Sequence, residues 1–323
     1  RYGGLITATD LAAYQVRRSR PLVVDYRDHT ILLPPPSSAG GPLVAFALKL
    51  LATRPLPDLA HNHFEHLRTL AEVMRLTNIA RIDWQAAMDE ANGHALDATA
   101  ETVKQLLSDD TMRHYSQALA TALSRPALIP DQPAPTGPAN TTHISVADSS
   151  GMLVSITTSA GESAGFVLGE TGLTLNNMLG EIDLHPNGFH RLPAGQRLQT
   201  MMTPTLVLRH GRPVIALGSG GSNRIRTAIV QTLSNTIDFN LNLAEAVGAS
   251  RAHYEDNEFQ LEGGISPHVA DELELAGYRV NRWSVRHMFY GGAHAVARHV
   301  EPDTPWMAVG DPRRGGSVAR QFD

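Results

Sequence analysis

Two adjacent hydroxyl residues, Thr141 and Thr142, stand between Asn140 and His143, where a proline-rich segment gives way to alternating apolar and polar residues. From Pro126 to Pro138 each proline removes a backbone N–H and fixes φ, which rules out regular helix or central strand there. Beyond it, Ile144, Val146, Leu153, Val154 and Ile156, divided by Ser149-Ser150-Gly151, predict a β-hairpin that opens at Thr141. A hydroxyl nucleophile at the first residue of a strand, behind a cleavable leader, suits an enzyme that makes its own catalytic N-terminus. Attack of Thr141 Oγ on the Asn140 carbonyl would shift the acyl group from nitrogen to oxygen, and water would release a new chain end. Its α-amine, with a pKa of about 7.7–8.0, could take the hydroxyl proton without help from His or Lys. The same Thr141 would then accept an acyl group from a substrate and pass it to water or an amine. The plainer alternative is a linker meeting an ordinary strand.

A tetrahedral oxyanion needs donors. The run Leu217-Gly218-Ser219-Gly220-Gly221-Ser222-Asn223-Arg224-Ile225 predicts a strand, a tight turn and a helix start, which together aim backbone N–H groups at an anion. Gly221 and Ser222 are the candidate oxyanion donors. No Lys follows for a P-loop, and the spacing fails the dinucleotide fingerprint. A turn that simply needs positive φ is the alternative. Gly161-Glu162-Ser163-Ala164-Gly165-Phe166 has no helix start behind it and reads as the rim of an active site. His143 reads as a structural strand residue rather than a base. His61, His63 and His66 are wrongly spaced for one helix face, and no carboxylate completes a set, so no metal site is expected.

Composition narrows the chemistry further. With no cysteine, a thiol nucleophile, a disulfide framework and a thiolate metal site are all excluded, and the compartment stays open. Lysine occurs only at Lys49 and Lys104, both in predicted helices, which leaves little room for a Ser-Lys mechanism. A net charge of −5 over 323 residues gives no footprint for nucleic acid or an anionic membrane, and no apolar run is long enough to span a bilayer. The first residues do not resemble a signal peptide, and the chain lacks an initiator Met, so a targeting signal can be missing.

The elements that must position these residues are predicted in order. Thr7 and Asp10 form a capping box ahead of a short helix, and Leu22–Tyr26 and Thr30–Leu33 form a strand pair. Pro34-Pro35-Pro36 is a stiff turn into a helix over Leu43–Leu51, followed by a helix within Pro57–Ala87 and two more near 98–108 and 110–123. After the hairpin come a strand at Leu173–Asn177, an irregular stretch over Met178–Gln199, and a hairpin of Thr205–Arg209 with Pro213–Leu217. A helix then carries Ala228, Ile229 and Leu233, with short strands and one helix over 268–276 beyond it. No internal repeat is apparent.

Taken together, these motifs resemble the gamma-glutamyltransferase family over nearly the whole chain. The likeness rests on Tyr2-Gly3-Gly4-Leu5 with Asp10-Leu11, Pro34-Pro35-Pro36-Ser37-Ser38, Thr141-Thr142-His143 with Ser145-Val146, Gly169 with Gly172 and Leu175-Asn176-Asn177, and Gly218-Ser219-Gly220-Gly221 with Arg224. The resemblance implies an α+β fold, the four-layer αββα sandwich of N-terminal nucleophile hydrolases, and self-cleavage between Asn140 and Thr141. Residues 1–140 would be the C-terminal part of a large subunit and 141–323 a small subunit, together one structural unit. The N-terminal part of the large subunit, which carries the family's Arg for the substrate carboxylate, would be absent from this chain. The mature protein would be a large/small heterodimer, with pairing of such heterodimers open.

The implied substrates are γ-glutamyl amides such as glutathione, with no metal or organic cofactor. Ser159, where the family usually has Thr, would hold the new amine. The pocket departs from the family pattern. The family's loop Asn falls on Gly161 or nowhere, with Glu162 as a substitute, and Met178 replaces a polar residue. Glu181 replaces an Asp that pairs with the substrate ammonium, and Thr200 and Met201 replace two serines that hold its carboxylate. Met offers no donor. The acyl-transfer machinery is therefore expected to be better kept than glutamyl specificity, and a related amide acylase or a non-maturing binding protein remain alternatives. Family members are mostly exported, which points to the periplasm or cell exterior and leaves the cytoplasm open.

Overall fold

The computed structural model describes residues 7–90, 96–127, 141–181, 184–185, 188–189, 197–298 and 305–321. The proline-rich run from residue 128 and Asn140 lie outside the described residues, as does much of 182–196.

Thr7 does cap the first helix, α1 (Ala8–Ala13), in a reciprocal box with Asp10. The strand pair is β1 (Leu22–Tyr26) and β2 (His29–Leu33), turned at Arg27 with φ of 55°. The next helix, α2 (Gly40–Ala52), begins three residues before the expected start. The reason is tertiary: the Ala39 and Gly40 N–H groups donate to the Thr200 carbonyl, so the opening turn is satisfied from a distant segment. A short 3₁₀ turn over Leu56–Asp58 separates α2 from α3 (Phe64–Glu90), because Pro57 suits a helix start and Asn62, with φ of 55°, breaks the run. The helices α4 (Leu96–Leu106) and α5 (Asp109–Leu123) follow, and Ser108 caps the second through the Thr111 N–H.

The hairpin that opens at Thr141 is β3 (Thr141–Ala147) and β4 (Leu153–Ser159). A second hairpin, β5 (Thr205–Arg209) and β6 (Arg212–Gly220), leads into α6 (Arg224–Ile237) and α7 (Leu243–Gly248). The chain ends through β7 (Ala252–Glu255), β8 (Glu258–Leu261), α8 (Pro267–Leu275), β9 (Val280–Arg282), β10 (Gly292–Ala297) and β11 (Met307–Val309).

An antiparallel sheet of order β1-β2-β5-β6-β10-β11 organises the molecule. Helices α2 and α6 cover one side, where Ile215 and Leu217 join Leu43, Phe46, Ile229 and Leu233 in the core. The β3–β4 hairpin lies on β6 and β10 from the other side. With layers on both faces, β6 is buried from Val214 to its end, and it reads in sequence as a continuous small and apolar run. Sheet, helices and hairpin make the fold α+β.

The β3–β4 hairpin inverts the usual amphipathic rule. His143, Ser145, Ser155 and Thr157 face the large sheet, and Ser155 Oγ donates to the Leu217 carbonyl at 3.0 Å while Ser145 Oγ donates to that of His294 at 3.2 Å. On the outside, Ile144, Val146, Val154 and Ile156 are 53, 47, 38 and 48% exposed.

The expected strand at Leu173–Asn177 is not one. Only a single bridge, Val167 to Thr174, forms there, because the segment folds back on its own loop through isolated bonds such as Leu168 N–H to the Leu173 carbonyl, without a neighbouring strand edge.

Candidate active site

Thr141 is half-buried at the start of β3 and sits opposite Ser159, the last residue of β4. Its Oγ1 donates to Ser159 Oγ at 3.1 Å, and Ser159 Oγ also accepts the Gly161 N–H at 3.0 Å. Ser159 thus touches the Thr141 hydroxyl itself. From the large sheet, Gly220 closes on the same residue. A Cβ there would lie 2.1 Å from the Thr141 carbonyl oxygen, so only glycine lets β6 end against Thr141.

The chain then swings out of the sheet with φ of +129° at Gly221 and +51° at Ser222. The Arg224 and Ile225 N–H groups donate to the Gly221 and Ser222 carbonyls at 3.0 and 3.1 Å, which ties the turn to the start of α6. Ser219 Oγ donates to the Gly220 carbonyl at 2.9 Å and accepts the Gly292 N–H at 3.1 Å, pinning the turn to β10. The expected strand, turn and helix start are all present, and the turn is one residue from Thr141.

His143 is buried with Nδ1 2.8 Å from Thr157 Oγ1 and Nε2 2.9 Å from Ser145 Oγ. Gly218 lies flat against its ring. Burial, with a smaller contribution from the charge of His294, lowers its pKa to about 3, so the ring is neutral at physiological pH. The residue ties β3 to β4 and packs on Gly218 of β6, a structural place for a histidine.

The pocket residues divide into two groups. Gly161 is buried, and a Cβ on it would fall 2.4 Å from Glu181 Oε1, 2.6 Å from Asn177 Oδ1 and 3.2 Å from the Met178 N–H nitrogen. Glu181, Asn177 and Met178 therefore crowd the residue that bonds Ser159. Glu162 is exposed, and its N–H donates to Asn177 Oδ1 at 2.7 Å. Thr200 and Met201 have a separate support. Thr200 Oγ1 accepts the Met202 N–H at 3.1 Å and its backbone pairs with Ser37–Gly40, whereas Met201 is 3% exposed and packs in the core.

Sequence reasoning gave no site role to Asn177, which organises the rim, or to Gly220, which makes the approach to Thr141. The paired Asn176-Asn177 and the unbroken run of small residues before Arg224 were the available signals. Among the described residues no group of three or more His, Asp or Glu side chains is placed to hold a metal ion, and no helix is long and apolar enough to cross a membrane.

The family model for gamma-glutamyltranspeptidase matches residues 1–321. The chain belongs to the gamma-glutamyltranspeptidase family. It is 28% identical over 325 residues to a glutathione hydrolase proenzyme of Escherichia coli (strain K12), covering 96% of this chain and 54% of that protein. It is also 31% identical over 332 residues to the acylase ACY 1 proenzyme of Pseudomonas sp. (strain SE83), covering 98% of this chain and 56% of the relative. The chain thus spans about half the length of these curated relatives. The crystal structure of cephalosporin acylase from Bacillus halodurans superimposes with a TM-score of 0.77 at 24% identity, over 99% of this chain and 56% of the other. The shared fold is that of N-terminal nucleophile hydrolases.

Proposed function

We propose that the protein cuts itself before Thr141 and then uses Thr141 as the nucleophile of an amide acyltransferase or hydrolase, with γ-glutamyl amides such as glutathione as the first substrate class. The observation that carries this reading is the convergence on one threonine of the Ser159 hydroxyl and the Gly220 end of a positive-φ turn. In the first step the Thr141 Oγ–acyl bond forms as the peptide C–N bond to Asn140 breaks, and water hydrolyses the ester to leave a free α-amine. In turnover that amine takes the hydroxyl proton, Oγ attacks the substrate amide, and the departing amine carries the proton away. Water or an acceptor amine then releases the acyl group. The Gly221 and Ser222 N–H groups stabilise the oxyanion, and loss of one such donor costs about 3 kcal/mol in the barrier.

In this reading Glu181, with Glu162 at the rim, attracts the substrate ammonium, and Met178 shapes the pocket wall. Thr200 and Met201 stand where the carboxylate donors are expected. Because Met201 is buried in the core and its side chain offers no donor, a second reading has specific support: an amide acylase whose acyl group lacks the glutamate carboxylate. The apolar outer face of β3–β4 is assigned to the remaining part of the longer protein, and activity outside the cytoplasm is our expectation. The deciding experiment is mass spectrometry of the full-length product. A fragment beginning at Thr141 that disappears in Thr141→Ala supports self-cleavage, and one band in both proteins overturns it. Turnover of γ-glutamyl-p-nitroanilide by the mature protein separates the two substrate classes.

A further inference from the structure

Asn223 follows the turn directly and occupies the N-cap position of α6, where an Asn side chain ordinarily accepts a bond from the first helical turn. Here it makes no cap bond. Its Nδ2 instead donates to Glu255 Oε1 at 2.7 Å, at the end of β7, and its Oδ1 accepts from Arg81 Nη1 on α3 at 3.3 Å. Asn223 is 7% exposed, so both polar atoms are committed to elements far away in sequence.

The anchor is itself held. Glu255 Oε2 lies 3.1 Å from His253 Nε2, and His253 Nδ1 lies 3.1 Å from Thr227 Oγ1 on α6. Burial keeps His253 below the usual imidazole range despite the opposing hydrogen bond and charge of Glu255. Burial works against the Glu255 carboxylate too, but its hydrogen bond with His253 and the charges of the Arg226 and Arg224 guanidiniums bring its pKa down to about 2. Arg226 is lowered to about 10 by burial and by the charge of Arg81, and it remains a cation that donates to Asn78 Oδ1 at 3.2 Å. Glu255 is thus a fixed anion facing a residue whose helix-capping use has been given up.

We propose that Asn223 is a positioning residue for acyl transfer: clamped between Glu255 and Arg81, it fixes the Gly221–Ser222 turn against Thr141. The inference rests on the reading of that turn as the oxyanion site. A turn with two positive φ values has no regular hydrogen-bond ladder of its own, and a displacement of about 1 Å in such a site costs on the order of a hundredfold in rate.

The test uses the full-length, self-processed protein with an amide substrate. Asn223→Ala is expected to lower kcat by about ten- to a hundredfold with KM within about twofold. Its affinity for a substrate-like boronic acid, whose tetrahedral adduct on Thr141 places an oxygen in the turn, should fall in parallel, while affinity for the product acid is unchanged. Asn223→Asp puts a carboxylate against Glu255 and should lose activity similarly. The double variant Asn223→Asp with Glu255→Gln reverses the direction of the one hydrogen bond, and recovery to within a few-fold of the native rate supports the clamp. An unchanged kcat and boronate affinity in Asn223→Ala overturns the proposal. So does a double variant no better than Asn223→Asp, or a loss of folding in Asn223→Ala that accounts for the whole loss of rate. Failure of the underlying reading shows differently: Thr141→Ala would keep activity, whereas failure of the clamp alone leaves Thr141 essential and Asn223 indifferent.

Discussion

The two hairpins, β3–β4 and β5–β6, are built on opposite rules. In β5–β6 the inward residues Val207, Ile215 and Leu217 are apolar and buried, and packing alone explains their place. In β3–β4 the inward residues are His143, Ser145, Ser155 and Thr157, and the apolar ones face out. Hydrophobic contact is non-directional, whereas hydrogen bonds constrain distance and angle. The hairpin that opens at Thr141 is therefore held by directional bonds, among them the one between Ser155 Oγ and the Thr205 N–H at 3.1 Å. Its apolar side is exposed.

The largest effects should come where the hairpins meet. Thr141→Ala is expected to abolish both the Thr141 fragment and turnover, measured by mass spectrometry and amide hydrolysis. Gly220→Ala drives a Cβ to 2.1 Å from the Thr141 carbonyl oxygen, and overpacking of this kind costs about 1–3 kcal/mol. We expect it to reduce the rate far more than the melting temperature, because the strain falls on Thr141, the proposed nucleophile.

His143→Leu probes the polar interface. It strips Thr157 of its ring partner in a buried layer and should destabilise by about 1–3 kcal/mol, measurable by urea unfolding. The pH dependence has a definite sign. Burial sets the folded His143 near 3 against about 6.5 in the unfolded chain, so its contribution is complete above about pH 6.5 and is lost as pH falls toward 3. The native protein should lose stability across that window more steeply than His143→Leu.

The smallest effect belongs to the outer face. Ile144→Thr and Ile156→Thr should change the stability of the chain described here by no more than about 0.5 kcal/mol, because both side chains are exposed. If the proposed covering of this face holds, the same substitutions should cost more in a protein that carries the covering segment, and equal costs in both would show that the face stays open.

Much of this arrangement was legible in the sequence because it is local. Thr7 and Asp10 announced a cap, the alternation after Thr141 announced a hairpin, and the glycine-rich run before Arg224 announced a turn into a helix. Long-range partnerships were not legible. Nothing near Gly40 signals that Thr200 will complete its first turn, and the Leu173–Asn177 segment has strand composition but finds no edge to join. Asn223 looks like a helix cap and acts as a bridge, because Glu255 and Arg81 compete for its amide. Asn140 lies outside the described residues, so the expected scissile bond is known from one side only.

That one side has a mechanical consequence. The ladder pairing with Ser159, the hydroxyl bond to Ser159 and the close approach of Gly220 to the carbonyl all involve Thr141 or atoms that follow its nitrogen in the chain. A cut immediately before Thr141 severs none of them. If the proposed cut takes place, the newly made chain end would stay moored where it was made, and Thr141 would not have to move.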